Sequence, residues 1–276
     1  MSGQASARLG TGGKVAAGVV VLIALVAVFA PAIAPYPFDA QDIPNRLQGP
    51  SSEYLLGTDH FGRDLLSRVI YGTRIALSTA LPAVGMALLL GTLMGLAAGY
   101  LGGMVDSVTV LILDTLQAFP GVILALAILA VAGPSSLVYV LAVTFVPGYA
   151  RVIRAQVLSA RNQEYVQAER NLGAGNFRIL FRHILPNVVA PIIVLAAMDI
   201  PTVITLEAGL SFLGLGVPPP APSWGVMLSE GFQYMRQAPS QILFAGAALI
   251  VTTLSITLFG EGLQRVLDPR SAKESS

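Results

Sequence analysis

The stretch IALSTALPAVGMALLLGTLMGLAAGY, from Ile75 to Tyr100, holds 26 residues and no charge. A bilayer core needs about 20 mostly apolar residues per helix, so this run is long enough to cross one and too apolar to sit in water. Five other runs meet the same test. Val15–Ala34 and Ser240–Gly260 are uncharged, and Ser107–Ala132 carries only Asp114. Ser135 to about Ile153 is apolar as far as Arg151, and Asn187 to about Leu215 contains Asp199 and Glu207. Composition agrees, because 54% of the 276 residues are hydrophobic and 11% charged, against roughly 25% charged in a soluble domain. The expected fold is an all-α polytopic membrane protein with six transmembrane helices.

Sixteen Lys and Arg against fifteen Asp and Glu leave a formal charge of +1, so no global basic field points to nucleic acid. The absence of cysteine excludes disulfides, thiolate metal sites and a Cys nucleophile. Distributed over alternate sides of six spans, eleven basic residues fall on one side: Arg8, Lys14, the six arginines from Arg151 to Arg182, Arg265, Arg270 and Lys273. Arg46, Arg63, Arg68, Arg74 and Arg236 fall on the other, and the positive-inside bias places both termini in the cytoplasm. The first run has an alternative reading as a signal peptide, since Ala32-Ile33-Ala34 resembles a small-residue cleavage site. Its length and Pro35 at the would-be cut favour a retained anchor. The expected layout is a cytoplasmic tail over 1–14, a first span over 15–34, an external amphipathic segment over 35–74, a five-helix core over 75–263 with a loop at 151–186, and a tail over 264–276.

Gly91, Gly95, Gly99 and Gly103 recur every four residues, a small-residue stripe that lets helix backbones approach closely in lipid. Pro82, Pro120, Pro147, Pro191 and Pro201 lie in or near spans and mark sites of kinking. The loop from Arg151 to Leu185 is patterned as two short helices. Asn162 is placed to cap the first, through Leu172, with Tyr165, Ala168 and Leu172 on one face and Gly173 as the turn. Asn176 is placed to cap the second, in which Phe177, Leu180, Phe181 and Ile184 share a face, Arg178 and Arg182 form a basic row, and Pro186 and Asn187 end the helix at the membrane. Physics alone leaves two readings, a basic hairpin on anionic headgroups or a docking knob attached to the fourth and fifth spans.

Asp114, Asp199 and Glu207 are candidate residues of a translocation pathway, because carboxylates at helix centres are costly and face bundle interiors or water. Asp199 and Glu207 fall about 80° apart around an ideal helix. The alternative is that these groups bond neighbouring hydroxyls or backbone. Asp106 is expected to cap the third span. Outside, Asp59, Arg63, Asp64 and Arg68 alternate in sign at near-helical spacing, which predicts a solvated amphipathic helix or, with Trp224, a docking site for another protein; Trp224 alone also reads as an interfacial anchor.

The run Glu164-Tyr165-Val166-Gln167-Ala168-Glu169-Arg170-Asn171-Leu172-Gly173, followed by Arg182-His183-Ile184-Leu185-Pro186-Asn187, resembles the EAA loop of ABC-importer permeases. Gly173 and Pro186 keep that pattern's offset, whereas Gln167, Glu169 and His183 depart from it. Leu56-Gly57-Thr58-Asp59-His60-Phe61-Gly62-Arg63-Asp64-Leu65-Leu66-Ser67-Arg68, Leu210-Ser211-Phe212-Leu213-Gly214-Leu215-Gly216, Ser223-Trp224-Gly225 and Asp268-Pro269-Arg270 resemble segments of the C-type subunit of dipeptide, oligopeptide and nickel permeases.

The resemblance implies a type I ABC importer transmembrane-domain fold with a cytoplasmic coupling-helix hairpin. Its implied partners are a homologous second permease subunit, two ATP-binding cassette ATPase subunits, an extracytoplasmic solute-binding protein, a peptide substrate and membrane lipid, in the inner membrane of a prokaryote. ATP and Mg would be bound by the partner subunits and no cofactor by this chain. Glu164, Tyr165, Ala168, Leu172, Gly173, Arg182, His183, Leu185 and Pro186 would couple to the ATPases, and nickel chelates, glutathione or sugars are alternative solutes. A phosphate loop is excluded at Gly10-Thr11-Gly12-Gly13-Lys14, where Arg8 stands at the first glycine position and Val15 replaces Ser/Thr. No catalytic motif occurs in the chain, so no enzyme activity is expected of it. A proton-coupled carrier using Asp114, Asp199 and Glu207, and a membrane scaffold, are the readings from other classes.

Overall fold

A helix longer than the bilayer organises the chain. The computed structural model describes residues 10–267, and in it α2 (Leu65–Leu101) has 37 residues. At 1.5 Å per residue that is roughly 55 Å against a hydrocarbon thickness of about 30 Å, so α2 begins well outside the membrane. Asp64 caps it by accepting from the Ser67 amide at 2.7 Å, and Gly102, at φ +68°, ends it. The expected external segment thus loses its last ten residues to the second span. Before α2 comes α1 (Gly10–Ile33), which takes in part of the expected N-terminal tail. Buried Ala16, Ile23, Ala27 and Ala30 form a narrow seam on α1, while Val15, Val21, Leu22 and Val28 remain exposed for lipid.

Further along lie α3 (Gly103–Gln117), α4 (Gly121–Ala132), α5 (Leu137–Ala160), α6 (Glu164–Asn171), α7 (Asn176–Arg178), a π turn (Ile179–Ile184), α8 (Leu185–Phe212), α9 (Trp224–Gln233) and α10 (Ser240–Leu267). Among the described residues five helices are each long and apolar enough to cross a membrane, and α3 with α4 supplies a sixth crossing only as a broken pair bent by 87°. The expected single span over Ser107–Ala132 is therefore corrected. Pro120 has no amide to donate and bars Phe119 from helical geometry, so the ladder stops after Gln117 and restarts at Gly121. Asp106 does not cap α3, because Gly102 occupies the cap and Asp106 pairs with Arg154. The described residues stop short of Arg8, Asp268-Pro269-Arg270 and Lys273.

The core is the seam between α2 and α5. A Cβ on Gly91 would lie 2.5 Å from Tyr149 Cβ, one on Gly95 would lie 2.6 Å from Ala150 O, and one on Gly99 would lie 2.9 Å from Arg154 O. Gly103 is not part of this stripe, since it follows the helix end at φ +55° with nothing within 4 Å.

Outside the membrane the alternating charges are buried, which overturns the solvated helix expected at Asp59, Arg63, Asp64 and Arg68. Their relative exposures are 0, 3, 3 and 0%. The stretch before α2 is a tight loop in which Gly57 and Gly62 adopt φ +85° and +74°; a Cβ on Gly62 would lie 1.8 Å from Asp42 O. Asp59 pairs with Arg63, and Arg63 and Arg68 both reach Glu230 of α9, at 3.1 and 3.4 Å. Trp224 is 2% exposed, stacks over Gly72 and donates to Val69 O at 3.2 Å, so it is a core residue and not an interfacial anchor or a docking contact.

His60 stacks on Tyr234 at 5.1 Å. Burial pushes its pKa below the ordinary value, against an upward pull from Glu230 and Asp59, with Arg63 and Arg68 adding to the downward push. Neutral His60 is thus favoured in the folded state, so its contribution is present above pH 6.5 and declines as pH falls through the lowered folded value.

Three outcomes follow from this packing. Gly95→Ala should lower the melting temperature in detergent, the overpacking costing about 1–3 kcal/mol, whereas Gly148→Ala, with nothing within 4 Å, should not. Glu230→Ala leaves Asp59 alone to face two buried guanidinium groups and should cost close to the lower end of the ~3–5 kcal/mol of a broken buried pair, read as the same melting shift. Melting temperature should also fall on acidification from pH 6.5 to about pH 5, with a shallower slope in His60→Gln than in the parent chain.

Candidate functional site

The hairpin expected over 151–186 is shorter than expected because α5 runs on to Ala160, so Arg151 and Arg154 belong to a span. Its first arm, α6, ends in a Schellman motif: Gly173 at φ +80° donates to Arg170 O at 3.0 Å, and Ala174 donates to Glu169 O at 3.0 Å. Gly173 is therefore the turn. Neither expected asparagine caps a helix. Asn162 donates to Leu158 O, and Gln163 holds the cap position; Asn176 accepts from the Tyr100 hydroxyl at 2.8 Å, and Gly175 holds the second cap position.

The second arm does not end at Pro186 and Asn187. It runs through the π turn into α8 as one helical path. In an α-helix the ring of Pro186 would press on the carbonyl of Arg182. Widening the preceding turn, with Leu185 donating to Leu180 O, relieves that clash and lets the helix continue.

Val166, Ile179 and Ile184 are fully buried and anchor the hairpin beneath the bundle. On the other side Glu164 and Ala168 are exposed, as are Tyr165 at 39%, Leu172 at 82% and Phe177 at 75%. The expected coupling face is thus an open, partly apolar ridge, with Arg182 and Pro186 also exposed and Leu185 half-buried. Asn187 donates to the Tyr165 hydroxyl at 3.5 Å. Glu169 and His183, both departures from the family pattern, face each other across the arms at 3.6 Å. Arg170 lies 5.6 Å over the Tyr100 ring, and Arg161 donates to Gly99 O at 3.0 Å. These ties strap the hairpin to the C-terminal end of α2. Sequence reasoning missed them because each joins positions distant in the chain.

The three intramembrane carboxylates have three different surroundings. Glu207 is 1% exposed, and its Oε1 accepts from Ser211 at 2.7 Å and Ser223 at 2.9 Å. It is removed from the pathway candidates, because the surrounding turn is closed over it. Gly214 at φ +81° ends α8, a Cβ on Gly216 would lie 1.9 Å from Ser211 Oγ, and one on Gly225 would lie 2.0 Å from Ala208 O. The Leu210–Gly216 and Ser223–Gly225 motifs are one packed structure about this carboxylate. Asp199 is half-buried beside the buried Tyr149 side chain. Asp114 is open and pairs with Arg151, at 57 and 49% side-chain exposure. The structure does not gather the three into one relay.

Residues 87–273 match the family described as the binding-protein-dependent transport system inner membrane component, and residues 12–50 match the N-terminal TM domain of oligopeptide transport permease C. The dipeptide transport system permease protein DppC of Alkalihalophilus pseudofirmus is 43% identical over 89% of this chain and 82% of its own length. The glutathione transport system permease protein GsiD of Pectobacterium atrosepticum is 41% identical over 93% of this chain and 86% of its own. An inward-facing structure of the MetNI methionine ABC transporter shares the fold, with a TM-score of 0.56 at 17% identity over 74% of this chain and 96% of that one. The matched region takes in the α2–α5 seam, the hairpin and the closed turn at Glu207, and the protein belongs to the family of inner-membrane permease components of binding-protein-dependent transport systems.

Proposed function

We propose that the chain is the membrane-spanning subunit of an ATP-driven importer of di- and oligopeptides, working with a homologous second permease, two ATPase subunits that bind ATP and Mg, and an extracytoplasmic solute-binding protein. The observation that carries this reading is the hairpin. It is strapped to α2, offers an open apolar ridge at Leu172 and Phe177, and continues without a break into a membrane span. Such an element passes a push at the cytoplasmic surface into the bundle. Reversing a two-state pore from 1:99 to 99:1 takes about 5.5 kcal/mol of differential binding, which a pair of nucleotide-closed ATPases can deliver and lipid contact cannot.

In this reading Tyr165, Ala168, Leu172 and Glu164 meet an ATPase cleft, Gly173 sets the angle between arms, and Arg182 pairs with an acidic group of the partner. Catalysis resides in the ATPases and none in this chain. The arginine-rich hairpin and the basic residues near both termini support an orientation with both termini in the cytoplasm of a prokaryotic cell. Peptide as solute is supported by the relatives named for dipeptide transport, and glutathione, itself a peptide, is the second reading because a relative named for its transport is nearly as similar. The proton-carrier reading loses support from Glu207, which is bound to two serines and closed to water.

Reconstituted in liposomes, the chain should mediate dipeptide uptake only with its ATPases, second permease, binding protein and ATP; uptake by the chain alone on a proton gradient would sink the proposal. Gly173→Pro forces φ from +80° toward about −65° and removes the amide that bonds Arg170 O. It should leave membrane insertion intact and abolish ATP-coupled uptake, measured on the same vesicles.

A further inference from the structure

Asp114 and Arg151 form an ion pair at 2.5 Å, with side chains 57 and 49% exposed, and Gln117, one turn beyond Asp114 on α3, is exposed as well. Beside them on α3, Leu111 is 66% and Ile112 45% exposed. Asp114 lies eleven residues beyond Gly103, the start of α3, and Arg151 nine before Ala160, the end of α5, so the pair sits roughly 13–16 Å along its helices from their hairpin-side ends, within segments long and apolar enough to cross a membrane. An open charge pair at that depth does not face lipid; ionisable side chains in spans face the interior of an assembly or a water-filled cavity.

A second observation marks the same face. The break between α3 and α4 begins one turn beyond Asp114, and Ala118, Phe119 and Pro120 are all exposed. Irregular backbone within a membrane is tolerated only where protein covers it or where it lines an aqueous cavity. By contrast, the charged clusters of the external cap are closed by their own chain, and Glu207 is saturated by serines.

We propose that the Asp114–Arg151 pair lies on the wall of the aqueous translocation path and forms a transient contact for the charged ends of a zwitterionic solute, Asp114 accepting from an ammonium group and Arg151 donating to a carboxylate. The inference rests on the importer function proposed above and adds Arg151 to the path. A zwitterion replaces one ion pair by two charge-assisted contacts and moves no net charge through the site, so opposite charges held side by side suit it better than a lone carboxylate would.

The test uses the complete reconstituted importer and dialanine as solute. The native chain has no cysteine, so Leu111→Cys places a single thiol in it one turn from Asp114. A membrane-impermeant charged methanethiosulfonate should modify that thiol in the assembled importer, as read by mass spectrometry of this chain, and turnover with dialanine should slow the modification. No reaction in the assembled importer, with reaction in the detergent-solubilised chain, would place the face against lipid or a dry interface and overturn the proposal.

The paired neutral variant Asp114→Asn with Arg151→Gln gives an independent reading. Loss of two charge-assisted contacts should reduce dialanine uptake by about tenfold while binding-protein-stimulated ATP hydrolysis stays within about twofold. Unchanged uptake would show that the charges merely neutralise each other and would reject the solute contact. Failure of the parent importer to take up dialanine with ATP would count against the importer function, and the thiol measurement would still decide whether the face is wet.

Discussion

The structure depends on the backbone approach of α2 to α5. In lipid no hydrophobic force drives two apolar helices together, so association rests on close packing, and close packing here requires that Gly91, Gly95 and Gly99 carry no side chain. The consequence extends beyond the seam. Because Gly99 lies against α5, its carbonyl comes within reach of Arg161 just past the end of that helix, and the neighbouring Tyr100 meets Asn176 and Arg170. The hairpin is therefore held in place by the last turn of the same glycine stripe that forms the core.

The charged residues divide the molecule into regions governed by different rules. In the cap formed by the loop before α2 and by α9, two buried guanidinium groups share two carboxylates, an arrangement that is stable only while every partner is present. At the hairpin end of the bundle Arg154 with Asp106 and Arg170 over Tyr100 are partly solvated and act mainly as positioning contacts. The cap is thus locked, while the hairpin is tethered at a few points and open on one side.

Apolar run length made the spans legible in the sequence, and the small-residue period made the α2 seam legible as far as Gly99. The turn at Gly173 was legible because its residue type, spacing and conformation agree. Other features were hidden for physical reasons. Alternating charges at 59–68 suit a solvated helix equally well, and only the approach of Glu230, more than 160 residues away, makes them a buried cluster. Pro120 was visible as a kink, but a proline mid-span can bend a helix or break it, and the 87° outcome depends on what surrounds it. Pro186 signalled a helix end, yet the chain evaded the clash by widening one turn. Of the hairpin residues, exposed Tyr165, Ala168 and Leu172 were readable from the amphipathic pattern of the first arm, whereas the second-arm face expected at Phe177, Leu180, Phe181 and Ile184 is divided, with Phe177 exposed and Ile184 buried, and the anchors Val166 and Ile179 occupy positions that the pattern left unassigned.

The widened turn before Pro186 has a mechanical consequence. The turn is a π turn, and Pro186 beside it donates no backbone hydrogen bond, so a bend of the path from hairpin to span concentrates there. Beyond it α8 has 28 residues, about 42 Å along its axis, and carries Pro191 and Pro201 as further points of bending. Along a straight axis a tilt of only ~10° about the first point carries the far end of α8 through about 7 Å, more than two water diameters, and each later proline shortens the arm that moves as one piece next to the closed turn that holds Glu207.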